Sequence, residues 1–116
     1  YDNAMRYTDY FWNNVIDTLN TYEPDYDVVM VYISDHGESL GENNIYLHGL
    51  PYSIAPAAQK QVPVIIWSPT NNSIDKNSLM LDKPVSHDFI TPTLLQFFGI
   101  TTDEMLSKPT FFQYTH

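Results

Sequence analysis

Val28-Val29-Met30-Val31-Tyr32-Ile33 is an unbroken run of six apolar residues, and it ends directly on Ser34-Asp35-His36-Gly37. Such a run predicts a strand buried on both faces of a mostly parallel sheet. Open α/β sheets bind ligands beyond the carboxyl ends of their strands. A carboxylate and an imidazole therefore stand side by side where that kind of fold places its chemistry. The rest of the chain reads as support for this edge.

Upstream, residues 4–20 carry a helical period. Ala4, Thr8, Phe11, Val15 and Leu19 form one row, with Met5, Trp12 and Ile16 beside it. Arg6, Asp9, Asn13, Asp17 and Asn20 take the opposite face, which predicts an amphipathic helix lying on a sheet. Glu23-Pro24-Asp25 breaks it before the strand at 28–33. Downstream, residues 34–61 read as one long loop holding three of the four glycines, at 37, 41 and 49. Long loops of this kind are often functional. A short helix is expected within 53–60, with Ser53 as its cap and Pro56 in its first turn. Val62-Pro63-Val64-Ile65-Ile66-Trp67 is a second strand, with Pro63 at its start or on a free side. Residues 68–77 read as a surface loop, and 79–81 have no clear preference. A last helix either starts at 87 under a Ser86 cap and bends at Pro92, or starts at 92 under Thr91; Gly99 is its expected stop. Beyond Ile100 little periodicity remains.

The 116 residues suffice for one small domain, and 43% apolar with 15% aromatic content supports a packed core. No apolar run approaches the roughly 18 residues that span a bilayer, so the segment reads as soluble as it stands. Fourteen acidic against five basic residues give a net charge of −9. That balance opposes nucleic-acid binding through phosphates and a polybasic membrane patch, and suits a site where a cation offsets carboxylates. Cysteine is absent, which excludes disulfides and thiolate metal sites. The chain opens at Tyr1 straight into a helical pattern, which reads as a piece of a longer polypeptide.

An Asp oxygen and a neutral His nitrogen together suit Zn²⁺, or Mn²⁺ more loosely. Asp35 and His36 are the candidate ligands, with Gly37 expected to make the sharp turn by adopting a positive φ. Read without a metal, Asp35 is a strand-end carboxylate capping loop N–H groups. His48 lies twelve residues beyond His36, and a loop that leaves the strand end and returns brings it back over the ion. There an imidazole holds a phosphate oxygen or shuttles a proton. Glu38 and Glu42 are either acceptors that orient a ligating imidazole or solvated loop charges. His87 fits a structural place at a helix start, and His116 is terminal. A metal site needs about four ligands and a transfer needs a nucleophile, so the remaining parts are expected upstream.

The run from Ser34 through Asp35-His36-Gly37-Glu38-Ser39-Leu40-Gly41-Glu42-Asn43-Asn44-Ile45-Tyr46-Leu47-His48-Gly49 closely resembles the signature of bacterial lipid A or lipooligosaccharide phosphoethanolamine transferases, of the alkaline phosphatase/sulfatase superfamily. Flanking residues fit too: Tyr1-Asp2-Asn3, Tyr7-Thr8-Asp9-Tyr10, Ala55-Pro56 with Gln59, Val62-Pro63 with Trp67, and Val85-Ser86-His87-Asp88 with Thr93-Leu94-Leu95 and Gly99. The resemblance covers residues 1 to about 100; 101–116 do not follow the expected family ending. It implies that 1–116 is the C-terminal portion of a three-layer α/β/α catalytic domain, periplasmic and held to the inner membrane by N-terminal helices. Asp35 and His36 match zinc ligands, and His48 matches a histidine that contacts the phosphoethanolamine group. On this reading His48 is catalytic, and His48 with Glu38 binds substrate. The implied mechanism is two-step. An upstream Thr attacks phosphatidylethanolamine, forms phospho-Thr and releases diacylglycerol; lipid A, core oligosaccharide or another acceptor then takes the group. Amines added in this way lower the envelope's negative charge and weaken binding of polymyxin-like peptides. Two other readings stand beside it: a sulfatase or phosphodiesterase of the same superfamily, and a non-catalytic α/β module.

Overall fold

The structure, a computed structural model, describes residues 1–69, 74, 79–80 and 83–112. Much of the expected 68–77 loop, part of 79–81, and His116 lie outside the described residues. The chain divides into two compact units, Tyr1–Pro69 and Thr70–His116.

In the first unit the predicted helix is α1, Asp2–Asn20. Thr8, Trp12, Val15, Ile16 and Leu19 are half-buried, while Met5 and Phe11 stay exposed and no residue of the helix is fully buried. The apolar stripe is therefore only partly covered. Trp12 packs on Tyr32 with ring centroids 4.8 Å apart, and a cleft of about 350 Å³ opens beside them between Met5, Ile16, Met30 and Ile65. The two predicted strands are β1, Met30–Ile33, and, after two further short strands and a helix, Val64–Trp67.

Their pairing corrects the expected parallel arrangement. The two strands run antiparallel, with Met30 opposite Trp67 and Ile33 opposite Val64. A parallel neighbour needs a crossover that carries the chain back to the strand's starting end. Here 34–63 folds into a small hairpin and a four-residue helix beyond the end of β1 and re-enters from that same end. Met30 is buried, but Val31, Tyr32 and Ile33 are half-exposed, and Ile65 opposite is 46% exposed. Alternation sends Met30 and Tyr32 toward α1 and Val31 and Ile33 to the other face.

The expected loop is more ordered than its composition suggests. Strand β2, Ser39–Leu40, pairs antiparallel with β3, Tyr46–Leu47, across a 3₁₀ turn at Glu42–Asn44. Gly41 takes φ 122°, a conformation that L side chains rarely adopt. Helix α2 is Ala57–Lys60, with Pro56 rather than Ser53 at the capping position. Ser53 falls instead inside a turn whose N–H donors, from Ile54 and Ala55, both reach Pro51 O. The returning strand is β4, Val64–Trp67, and Pro63 precedes it as expected because proline has no N–H for the ladder.

In the second unit Ser86 caps as predicted: its hydroxyl accepts the Asp88 N–H at 3.3 Å. The segment then opens as one 3₁₀ turn, His87–Phe89, and continues as α3, Ile90–Phe97. Pro92 sits in the first turn of α3, where no partner is needed for a backbone N–H, so the helix neither starts at 92 nor breaks there. Gly99 ends it at φ 65°, donating to Gln96 O while Ile100 donates to Leu95 O, the paired bonds of a Schellman close. Beyond Ile100 a short helix, α4 (Asp103–Leu106), escaped the periodicity; Thr102 caps it by accepting the Met105 N–H. Phe111 and Phe112 are buried against Phe89 and Phe97, and the fully buried Thr93 accepts the Phe111 N–H at 2.9 Å.

Candidate metal and phosphoryl site

The end of β1 carries the expected residues into one place. Ser34 Oγ donates to His36 O across a tight turn, and Asp35 Oδ1 accepts the His36 N–H. His36 Nδ1 lies 2.9 Å from Gly37 O. A carbonyl only accepts, so Nδ1 carries a proton, and in the neutral ring Nε2 keeps its lone pair. That Nε2 stands 3.6 Å from Asp35 Oδ2. Two ligand atoms around a tetrahedral ion with bonds of about 2.0–2.1 Å lie roughly 3.3–3.4 Å apart, so the pair fits one cation with little adjustment.

The β2–β3 hairpin then returns His48. Its ring stacks on His36 with centroids 3.8 Å apart and planes 30° from parallel. His48 Nδ1 meets Glu38 Oε2 at 3.2 Å. The carboxylate accepts, which leaves His48 Nε2 available. One ligand atom from each of His36, Glu38 and His48 lies within 4.8 Å of the others, a spacing that a divalent cation can bridge. The group is half-exposed: side-chain exposures are 41% for His36, 50% for His48 and 40% for Glu38, with Asp35 at 87%.

Gly37 has a role other than the one expected. Its φ is not positive; its importance is space. A Cβ there would lie 1.9 Å from Ala58 O, because α2 runs against this turn. Gly37 N donates to Gln59 O at 3.1 Å, and the buried Gln59 Nε2 donates to the buried Ser39 Oγ at 2.9 Å. Both residues stand in the stretches that carry the family resemblance, but the bond between them was not legible, since the contact spans twenty positions.

Glu42 separates from the cluster. Its Oε2 accepts the Leu40 N–H at 2.8 Å, closing the turn around Gly41. Hydrogen bonds from the Glu42, Leu40 and Gly41 N–H groups hold its carboxyl below the ordinary 4.5, against a small opposing effect of desolvation. A depressed folded value means that the stabilisation is present above pH 4.5 and is lost as the pH falls through the lowered value. A comparison of the parent with Glu42→Gln should therefore show a small stability difference near neutrality that closes in acid, read from denaturant midpoints. His87 lies in the 3₁₀ turn of the second unit, behind the Ser86 cap.

The sulfatase family model matches residues 1–100, and the chain belongs to the sulfatase family. The similar proteins narrow the likeness. The chain is 49% identical over 113 residues to phosphatidylethanolamine transferase Mcr-2 of Escherichia coli, covering 97% of this chain and 20% of that protein. It is 43% identical over 109 residues to phosphoethanolamine transferase EptA of Escherichia coli K12, covering 88% and 20%. The solved C-terminal periplasmic domain of phosphoethanolamine transferase EptC from Campylobacter jejuni superposes with a TM-score of 0.74 at 42% identity, over 88% of this chain and 33% of that one. The fold is thus an α/β fold of the sulfatase type, and the chain spans about a fifth of the length of the curated relatives it matches. No helix among the described residues is long and apolar enough to cross a membrane.

Proposed function

We propose that this chain is the C-terminal portion of the catalytic domain of a zinc-dependent phosphoethanolamine transferase. Its donor is phosphatidylethanolamine, and its acceptor is lipid A, core oligosaccharide or another periplasmic molecule. The membrane helices, the nucleophilic Thr and the remaining ligands belong to upstream sequence, with the helices in the inner membrane and the catalytic domain in the periplasm. Support comes from the relatives' activities, from EptC's periplasmic placement, and above all from the folding of His48 onto His36 at 3.8 Å.

Asp35 Oδ2 and His36 Nε2 would hold the zinc from this chain's side. When bound, the metal would supply Lewis acidity that lowers the pKa of the Thr hydroxyl and polarises the phosphoryl group. The Thr oxygen attacks phosphorus as the bond to diacylglycerol breaks, the proton lost by Thr balancing the one gained by the diacylglycerol oxygen; an acceptor oxygen later displaces the Thr, and the acceptor's proton restores the Thr hydroxyl. With Glu38 keeping a proton on Nδ1, neutral His48 accepts the acceptor's proton at Nε2, and as imidazolium it donates Nε2–H to a phosphoryl oxygen. The second oxygen of Glu38 is a charge partner for the ethanolamine ammonium.

The test is transfer by the full-length protein. Labelled phosphoethanolamine should pass from phosphatidylethanolamine to lipid A, cease after chelation, and return with Zn²⁺ but not with Mg²⁺. Release of sulfate from a sulfate ester, with no phosphoethanolamine transfer, would assign the chain to the sulfatase reading instead.

A further inference from the structure

We infer that Gln59 is a positioning residue for the cluster at the end of β1; this rests on the metal-dependent reading of that site. Gln59 is 7% exposed and sits on α2, so it does not itself meet substrate. It grips the site loop at two points. Its carbonyl accepts the Gly37 N–H at 3.1 Å, and its side-chain amide donates to Ser39 Oγ at 2.9 Å. Glu38 lies between those two anchors. Gly37 also presents the carbonyl that receives His36 Nδ1, and Glu38 receives His48 Nδ1. Both imidazoles are therefore oriented by backbone or carboxylate groups that Gln59 holds in place.

The buried environment gives the side-chain bond its weight. Ser39 is 2% exposed, so neither partner can exchange this bond for water. The tight approach of Ala58 O to Gly37 leaves the loop no slack toward α2. Losing the amide frees Ser39, and with it Glu38, to shift outward. Ligand orientation at metal sites depends on such outer partners, whose removal typically costs 10–100-fold in metal affinity or activity.

The experiment uses the full-length protein and three variants: Gln59→Met, which keeps volume but no donor; Ser39→Ala; and both together. Readouts are the melting temperature of the metal-free protein, zinc retention against a competing chelator, and kcat and KM for phosphoethanolamine transfer. Gln59→Met should lower zinc affinity and kcat by about 10–100-fold with KM little changed. The paired variant leaves no buried polar group unmatched, so it should regain the parent's melting temperature. Its zinc affinity and kcat should stay low, because the tether is still absent. Recovery of zinc affinity and kcat together with melting temperature in the paired variant would overturn the positioning role and leave packing alone. So would a Gln59→Met protein that melts early yet keeps the parent's zinc retention. If the parent holds zinc but transfers nothing, the proposed reaction falls, and the zinc retention of the variants still decides the role of Gln59.

Discussion

His36→Ala in the full-length protein is expected to remove zinc and to lower phosphoethanolamine transfer at least about 100-fold, at or beyond the upper end of what losing an outer partner costs. The imidazole has one free nitrogen, because Nδ1 is committed to Gly37 O at 2.9 Å. That free Nε2 faces Asp35 Oδ2 at 3.6 Å. Alanine removes the proposed nitrogen ligand and also the surface on which His48 stacks. The side chain is 41% exposed, so the fold loses little packing and the metal-free variant should melt near the parent. Asp35→Ala should behave alike, since its 87% exposed carboxylate packs against little and, on the proposed reading, serves chiefly as an oxygen ligand. Metal content measured beside turnover checks both. Either variant retaining zinc and full transfer would remove Asp35 and His36 from the ligand set.

The second large effect is expected at Gly37. Its alanine variant places a methyl 1.9 Å from Ala58 O, 2.9 Å from Ala58 C and 3.2 Å from Gln59 Cα. All three are backbone atoms, and none can rotate aside as a flexible side chain would. Overpacking of this kind costs about 1–3 kcal/mol or more. The relief available is to move the turn off α2, which breaks the Gly37 N–H bond to Gln59 O and displaces His36. Gly37→Ala should therefore lower both the denaturant midpoint and zinc retention. Gly99→Ala is the contrast: at φ 65° with no atom within 4 Å of the new methyl, it costs about 1–2 kcal/mol of backbone strain and should leave zinc retention unchanged.

These two positions show what kind of information the chain carried on its face. That Asp35 and His36 are candidates for chemistry was readable, because a carboxylate and an imidazole directly after an apolar run fall at a strand's end. That Gly37 must be glycine was readable too, but the reason was not. A local rule suggested a positive φ, whereas the cause is the passage of α2, twenty residues downstream, at contact distance. Glu42 shows the same split. Its charge and its place in the loop were visible, but its commitment to Leu40 N–H depends on Gly41 standing at φ 122°. In the second unit, Thr102 followed by two acidic residues was a usable helix-start signal. The burial of Phe111 and Phe112 was not, since nothing local distinguishes them from an exposed tail.

Sequence alone determined the elements whose cause lies within one or two turns of chain: α1 from its 3.6-residue period, β1 and β4 from their apolar runs, the Ser86 cap, and the Gly99 stop. It also determined the family and the residues that could ligate, because those are matters of chemical type and spacing. Only the tertiary structure decided that β1 and β4 lie antiparallel, that His48 stacks on His36, and that Gln59 reaches Ser39. The physical reason is range. Dihedral preference and periodicity act on neighbours along the chain, whereas strand direction, ring stacking and a buried hydrogen bond depend on where the backbone goes after leaving the strand, and that is set by packing the whole segment at once.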